Sequence, residues 1–184
     1  MPVLRPATKQ DAATIVTLMD MASHGMARAL WAAMTPEGQD PHAFATARAE
    51  REQGGFTYRN TRILMSRDAP AGMLMSWPLP PAPLPADDLP VTAIPLQELE
   101  NLAPRNALYI NALAVFPHLR RQGLARFMLD GAGQGPQALI TASGNAAALA
   151  LYHATGFREA ARRPARGDAH WQPDFPDWVL LTRP

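Results

Sequence analysis

The sequence predicts a mixed α/β protein, a sheet with helices on its faces, and three observations carry that expectation. Strand-like and helical segments alternate through the second half of the chain. Two apolar segments joined by a short turn in the first half read as a β-hairpin, which brings antiparallel pairing. At 184 residues and 47% hydrophobic content there is enough chain for one buried core, and no cysteine is present to staple a smaller one. A single domain over residues 1–184 is expected.

The elements follow in order. Val3-Leu4-Arg5 before Pro6 is a short strand. Thr8 followed three residues later by Asp11 has the form of a capping box, and Ile15, Leu18, Met19 and Ala22 then recur at helical spacing. After Gly25, Met26–Met34 reads as a short helix stopped by Thr35-Pro36. Asp40-Pro41 supplies an N-cap and an N1 proline for a helix expected to run to about Gln53, ended by Gly54-Gly55. The hairpin pairs Thr61–Arg67 with Gly72–Trp77 across Asp68-Ala69-Pro70-Ala71.

Residues 78–106 form an excursion with prolines at 78, 80, 81, 83, 85, 90, 95 and 104, so most of it is excluded from interior strand. Pro95–Leu102 has room for a helical turn or two. Ala107–Phe116 is a largely apolar run ended by Pro117, a central strand. Leu124, Phe127 and Met128 place a helix over Leu124–Asp130. Ala138–Thr141 is a short strand, Asn145–Thr155 an alanine-rich helix stopped by Gly156, and Phe157–Arg162 and Trp178–Leu181 closing strands.

Charge and composition exclude several classes. Seventeen Lys and Arg against sixteen Asp and Glu leave a net charge of +1, which offers no general attraction to nucleic acid or anionic lipid. Without cysteine there is no thiolate metal site or thiol nucleophile, and no metal is expected. No apolar run approaches the roughly 20 residues of a membrane helix, and Met-Pro-Val-Leu-Arg-Pro is no secretory leader, so a soluble cytoplasmic protein is expected. Neither Gly-x-x-x-x-Gly-Lys-[Ser/Thr] nor Gly-x-Gly-x-x-Gly occurs, which argues against an NTPase or a dinucleotide-dependent dehydrogenase.

Two segments carry chemistry. In the first, Leu108–Ala125, a strand ends at Pro117 and a basic turn, Arg120-Arg121-Gln122-Gly123, leads into a helix at Leu124-Ala125. Unpaired N–H groups at a helix start, a close-approach glycine and two arginines favour an anion such as a pyrophosphate. The same residues also fit an ordinary loop with solvated arginines. The second segment is Asn145-x-x-Ala148-x-x-Leu151-Tyr152-x-x-x-Gly156-Phe157, which alone fits a capped core helix with a buried tyrosine.

Together, in this order and separation, the two segments resemble the GCN5-related N-acetyltransferase (GNAT) superfamily. Its acyl-CoA signature, [Arg/Gln]-x-x-Gly-x-[Gly/Ala], follows a central strand, and an Asn-x-x-Ala-x-x-Leu-Tyr-x-x-x-Gly-Phe helix comes after the next strand. The resemblance covers about Leu108–Phe157 and implies a mostly antiparallel sheet with a V-shaped splay between its two central strands. It implies acetyl-CoA as cosubstrate, with Leu113 and Val115 offering backbone groups to the pantetheine arm. The N–H groups of the Arg120-Arg121-Gln122-Gly123-Leu124-Ala125 run would hold the pyrophosphate, and Asn145 would bond the pantetheine or its surroundings. Tyr152 lies where a phenol commonly protonates the departing thiolate, so it is both the expected general acid and a cofactor contact. The implied activity is N-acetyl transfer to a small-molecule or peptide amine by direct attack in a ternary complex. A catalytically silent acyl-CoA sensor of the same fold is the alternative.

One departure matters. Many relatives carry a strand glutamate near the position of Asn111, and an amide accepts no proton at neutral pH. The base is then a water relay or a side chain brought in from elsewhere, with His24, Glu50, His118, His170 and Asp174 as the candidates. In relatives the acceptor meets regions corresponding to Met26–Gln53, Pro78–Asn106 and Arg163–Trp178. Here the last mixes Asp168, His170, Trp171, Asp174, Phe175 and Asp177, suited to a cation, whereas Arg48 and Arg51 suit a carboxylate. The proline-rich excursion and the late tryptophans could also serve a homodimer.

Overall fold

The computed structural model describes residues 1–85 and 89–184, and the chain divides into two compact units. Residues 1–76 and 112–132 form the first, and residues 77–111 and 133–184 the second. The fold is mixed α/β, with seven strands among the described residues and most of the pairing antiparallel. The proline-rich excursion falls in the second unit, except that Ala86, Asp87 and Asp88 lie outside the described residues.

In the first unit β1 (Val3–Pro6) pairs antiparallel with β2 (Thr61–Ser66), which pairs antiparallel with β3 (Ala69–Pro78). Helices α1 (Ala12–Ala22), α2 (Met26–Met34) and α3 (Pro41–Ala49) lie between β1 and β2 in the chain, and α5 (Leu124–Asp130) closes the unit. The capping box is present: the Asp11 carboxylate accepts from the Thr8 N–H at 2.7 Å and from Arg5 at 2.8 Å. Ile15, Leu18, Ile63, Leu64, Met73, Leu74, Met128 and Leu129 are sealed from solvent and form the core.

Two expectations need correction here. Helix α3 ends at Ala49 and not near Gln53. Its continuation is broken because the Glu52 carboxylate is drawn to the Tyr58 hydroxyl at 2.8 Å, the Arg59 Nε at 2.6 Å and the Lys9 Nζ at 3.1 Å, all outside the helix. The hairpin turn is Arg67-Asp68, not Asp68–Ala71. Both residues are left-handed (φ 51° and 62°), the handedness that matches strand twist in a two-residue loop. Ala69 and Pro70 are therefore paired strand, and the register slips between Leu64 and Met65.

That slip leaves Ala71 unmatched on β2, and its carbonyl accepts from Phe116 N–H at 3.0 Å, just past β4 (Leu108–Val115). Gly72 follows, where an added Cβ would stand 2.4 Å from the Ala114 carbonyl oxygen. The close approach of β3 to the end of β4 thus requires glycine.

In the second unit the Leu79 N–H, just past β3, donates to the Ala107 carbonyl, just before β4, at 3.2 Å. Strand β4 pairs parallel with β5 (Gln137–Ala142) only through Leu108–Ile110 against Gln137–Leu139. The parallel ladder covers those three pairs. Antiparallel pairing then joins β5 to β7 (Asp177–Arg183) and β7 to β6 (Arg158–Pro164).

Helix α4 (Ile94–Leu102) lies in the excursion and helix α6 (Ala146–Ala154) between β5 and β6. The Asn101 side chain holds the preceding loop by bonding both the N–H and the carbonyl of Leu84, at 3.0 and 2.9 Å. Leu99, Ile110, Leu139, Phe157 and Val179–Leu181 make the core of this unit.

Gly72→Ala is expected to destabilise the protein by about 3 kcal/mol, since backbone and not a mobile side chain blocks the new methyl. Urea denaturation of the two proteins measures the difference.

Candidate functional site

In the first unit the sequence dictates a stop and a turn. Strand β4 cannot continue through Phe116-Pro117, and a turn of 3-10 helix at Pro117–Leu119 redirects the chain. Arg121 (φ 63°) and Gly123 (φ 76°) are both left-handed and flank Gln122. Such alternation of handedness turns successive N–H groups into one concavity. Gly123 also serves as the N-cap of α5, and no atom lies within 4 Å of where its Cβ would be.

Among the described residues, no protein acceptor takes the backbone N–H groups of Arg121, Gln122, Gly123, Leu124 or Ala125. Free N–H donors and the positive end of a helix are chemically suited to an anion. Arg120, Arg121, Gln122 and Gly123 are exposed, Ala125 is half-buried and Leu124 anchors the helix in the core. The Arg120 side chain folds back, its Nε donating to the Val115 carbonyl at 3.1 Å. That contact uses part of the Val115 carbonyl's capacity and leaves the Leu113 backbone nearer the strand centre.

In the second unit Asn145 is the N-cap of α6: its Oδ1 accepts from the Ala148 N–H at 3.2 Å, which leaves the side-chain NH₂ available. Tyr152 lies seven residues on, two helical turns along and on the same side. Its ring is buried at 8% exposure and meets Phe157 edge-on at 5.8 Å between centroids. Burial pushes the Tyr152 hydroxyl up to about 12, so it holds its proton throughout the neutral range.

The base candidates fare differently. His24, Glu50, His118, His170 and Asp174 are all exposed, and Asn111 is exposed as well. The aromatic part of the late loop is packed inward. Trp171 stacks on Trp178 at 6.4 Å, Phe175 meets Trp178 edge-on at 4.6 Å, and all three are buried. Asp168 is engaged in ordering that loop, accepting from the N–H groups of His170 and Trp171 at 2.8 and 2.9 Å. Arg51 donates to the Arg48 carbonyl at 3.1 Å, while the Arg48 guanidinium lies over the Phe44 ring at 5.6 Å.

A group the sequence reading missed stands beside β4. Tyr109 and Asn111 share one face of the strand, and the buried Tyr109 ring meets Trp77 edge-on at 5.6 Å. Burial, then the nearby Glu100 carboxylate, push the Tyr109 hydroxyl up, and a hydrogen bond with Asn111 acts the other way. Glu100 lies near the end of α4. Burial raises its pKa above the usual carboxylate range, against the opposing effects of Arg105 and Gln97. The available signal was Leu99-Glu100, a charge set immediately beside a fully buried leucine on a short helix.

Comparison with known proteins decides the family. The model of the acetyltransferase (GNAT) family matches residues 23–157. The chain belongs to that family. Among solved structures, this GNAT chain is similar to an N-acetyltransferase from Staphylococcus aureus Mu50, at 18% identity and TM-score 0.63, covering 98% of this chain and 99% of the other. It is also similar to the ribosomal-protein-S18-alanine N-acetyltransferase from Escherichia coli, at 19% identity and TM-score 0.56, covering 100% and 94%. A GNAT acetyltransferase from Bacillus cereus ATCC 10987 aligns at 12% identity and TM-score 0.58, covering 99% and 96%. These likenesses bear on the fold. No curated protein matches the GNAT chain in sequence. Among the described residues no helix is long and apolar enough to cross a membrane.

Asn145→Ala removes the α6 cap and is expected to cost about 1 kcal/mol of stability, whereas Asn145→Asp keeps it. Thermal melts of the three proteins compare them.

Proposed function

We propose that this GNAT protein is an acetyl-CoA-dependent N-acetyltransferase acting on the amine of a small molecule or peptide, by direct attack in a ternary complex. One observation supports the reading most: the five backbone N–H groups from Arg121 to Ala125 that no protein group accepts, at the start of α5. A diphosphate fits such a site in charge and in hydrogen-bonding capacity, and the open space over Gly123 lets it approach the backbone.

Acetyl-CoA supplies an activated acetyl thioester when bound. The residues of this chain do the rest. The N–H groups from Arg121 to Ala125 hold the diphosphate, with the charges of Arg120 and Arg121 beside it. The backbone of Leu113 and Val115 orients the pantetheine arm along β4, and a backbone N–H near Leu113 polarises the carbonyl oxygen. The Asn145 side-chain NH₂ donates to the pantetheine amides while its Oδ1 caps α6. Tyr152 gives its hydroxyl proton to the departing sulfur. The buried phenol keeps its proton at neutral pH and so has one to give, while burial makes it a weaker acid than a free tyrosine.

Thiol release from acetyl-CoA, followed with spermidine, an alanine-initiated peptide, a lysine-containing peptide and kanamycin, tests the activity. Turnover with at least one of these amines is expected, and Tyr152→Phe is expected to lower kcat about 100-fold at pH 7 with little change in KM for acetyl-CoA. Tight coenzyme A binding with none of the four amines consumed would favour the silent sensor. A Tyr152→Phe protein with unchanged kcat at every pH would remove the tyrosine from the mechanism.

A further inference from the structure

A proton donor must be held within hydrogen-bonding distance of the departing sulfur, and a displacement of about 1 Å can cost a large part of the rate. Tyr152 lies in the last turn of α6, where a helix runs out of its own hydrogen-bond partners. The turn is closed locally. The Tyr152 carbonyl accepts from the Thr155 hydroxyl at 3.0 Å, from the Thr155 N–H at 3.1 Å and from the Phe157 N–H at 3.0 Å. Gly156, left-handed at φ 92°, turns the chain back, and the fully buried Phe157 ring meets the Tyr152 ring edge-on.

This closing turn is held from outside α6 by Arg183, the half-buried last residue of β7. Its Nη1 donates to the carbonyl of Thr155, the C-cap residue of α6, at 2.9 Å. Its Nη2 donates at 2.9 Å to Oε1 of Gln137, the residue paired with it across the β5–β7 ladder. Gln137 is buried and fixed in turn, its Nε2 donating to the Gly133 carbonyl at 2.9 Å. The Arg183 guanidinium carbon stands 4.7 Å from the centroid of the Phe157 ring, the ring that Tyr152 packs against. One planar cation thus joins the sheet, the negative end of α6 and an aromatic ring, each a favourable partner for it. Arg158 also serves this helix end, donating to the His153 and Phe157 carbonyls at 3.2 and 2.8 Å, but it is exposed.

Resting on the acetyltransferase reading, we infer that Arg183 is the positioning residue of Tyr152: it fixes the Phe157 ring and the closing turn of α6, and through them the phenol that protonates the thiolate. The role needs shape as well as charge. A lysine ammonium keeps the charge but has no planar fork to bond Thr155 and Gln137 together while lying against the ring.

The test measures kcat and KM for acetyl-CoA, with whichever of the four amines turns over fastest, in wild type, Arg183→Met, Arg183→Lys, Tyr152→Phe and the double variant Arg183→Met/Tyr152→Phe. Arg183→Met should lower kcat about tenfold and leave KM for acetyl-CoA within about twofold of wild type. Arg183→Lys should recover part of that loss. In the Tyr152→Phe background, Arg183→Met should change kcat by less than about twofold, since a ring without its hydroxyl gains nothing from being placed. A role confined to stability would lower kcat equally in both backgrounds. Arg158→Met, which removes a cation from the same helix end, should leave kcat near wild type. Fluorine NMR of the protein carrying 3-fluorotyrosine gives a readout that needs no turnover. The Tyr152 resonance, assigned by its loss in Tyr152→Phe, should move in Arg183→Met and in Arg183→Lys.

Equal losses from Arg183→Met in the two backgrounds, or a Tyr152 resonance that stays in place, overturn the inference while leaving the acetyltransferase reading intact. A loss from Arg158→Met as large as that from Arg183→Met overturns it too, because charge at the helix end would then account for the effect. Should Arg183→Met not fold, Arg183→Lys is carried through the same cycle and the same spectra, with the same outcomes deciding. Failure of wild type to consume any amine would remove the acetyltransferase reading and the positioning role together.

Discussion

Proline at 117 forces β4 to end, and the backbone that follows is the constraint on which the rest depends. Having left the sheet, the chain must start α5 within a few residues, and it does so through two left-handed positions, Arg121 and Gly123. Arginine in that conformation is strained, at roughly 1 kcal/mol or more. A turn that accepts this and still leaves its N–H groups without protein acceptors is poorly arranged for stability alone. It is well arranged for an anion.

The same end of β4 is held from its other neighbour by glycine. The slipped register in the β2–β3 hairpin frees the Ala71 carbonyl to bond Phe116, and Gly72 lets β3 come close to Ala114. Strand end, turn and helix start are therefore positioned by backbone contacts in the first unit. In the second unit the proposed chemistry sits on one helix, with Asn145 at the start of α6 and Tyr152 along it.

Legibility in the sequence followed the range of the interactions. Helices α2 and α5 run over the residues their local signals indicate, because proline, glycine and apolar spacing act within a few positions. The end of α3 was hidden because Glu52 is captured by Tyr58, Arg59 and Lys9, one of them more than forty residues away. The hairpin turn was misread because Pro70 signals a turn locally, while the left-handed Arg67 and Asp68 carry no such mark. The two motifs behind the proposed site were readable for the same local reason, as each is contiguous. The partial burial of Glu100 was not, since only the packing of α4 in the folded chain creates it. The inward packing of Trp171, Phe175 and Trp178 likewise needed the folded loop.

The most direct measurement of the central claim is a titration of the ¹⁵N-labelled protein with coenzyme A, following backbone amide resonances. Saturable shifts concentrated at Arg121, Gln122, Gly123, Leu124 and Ala125, absent when dephosphorylated pantetheine replaces coenzyme A, are the predicted result. Saturation of the protein with coenzyme A while those five resonances stay in place would contradict the account.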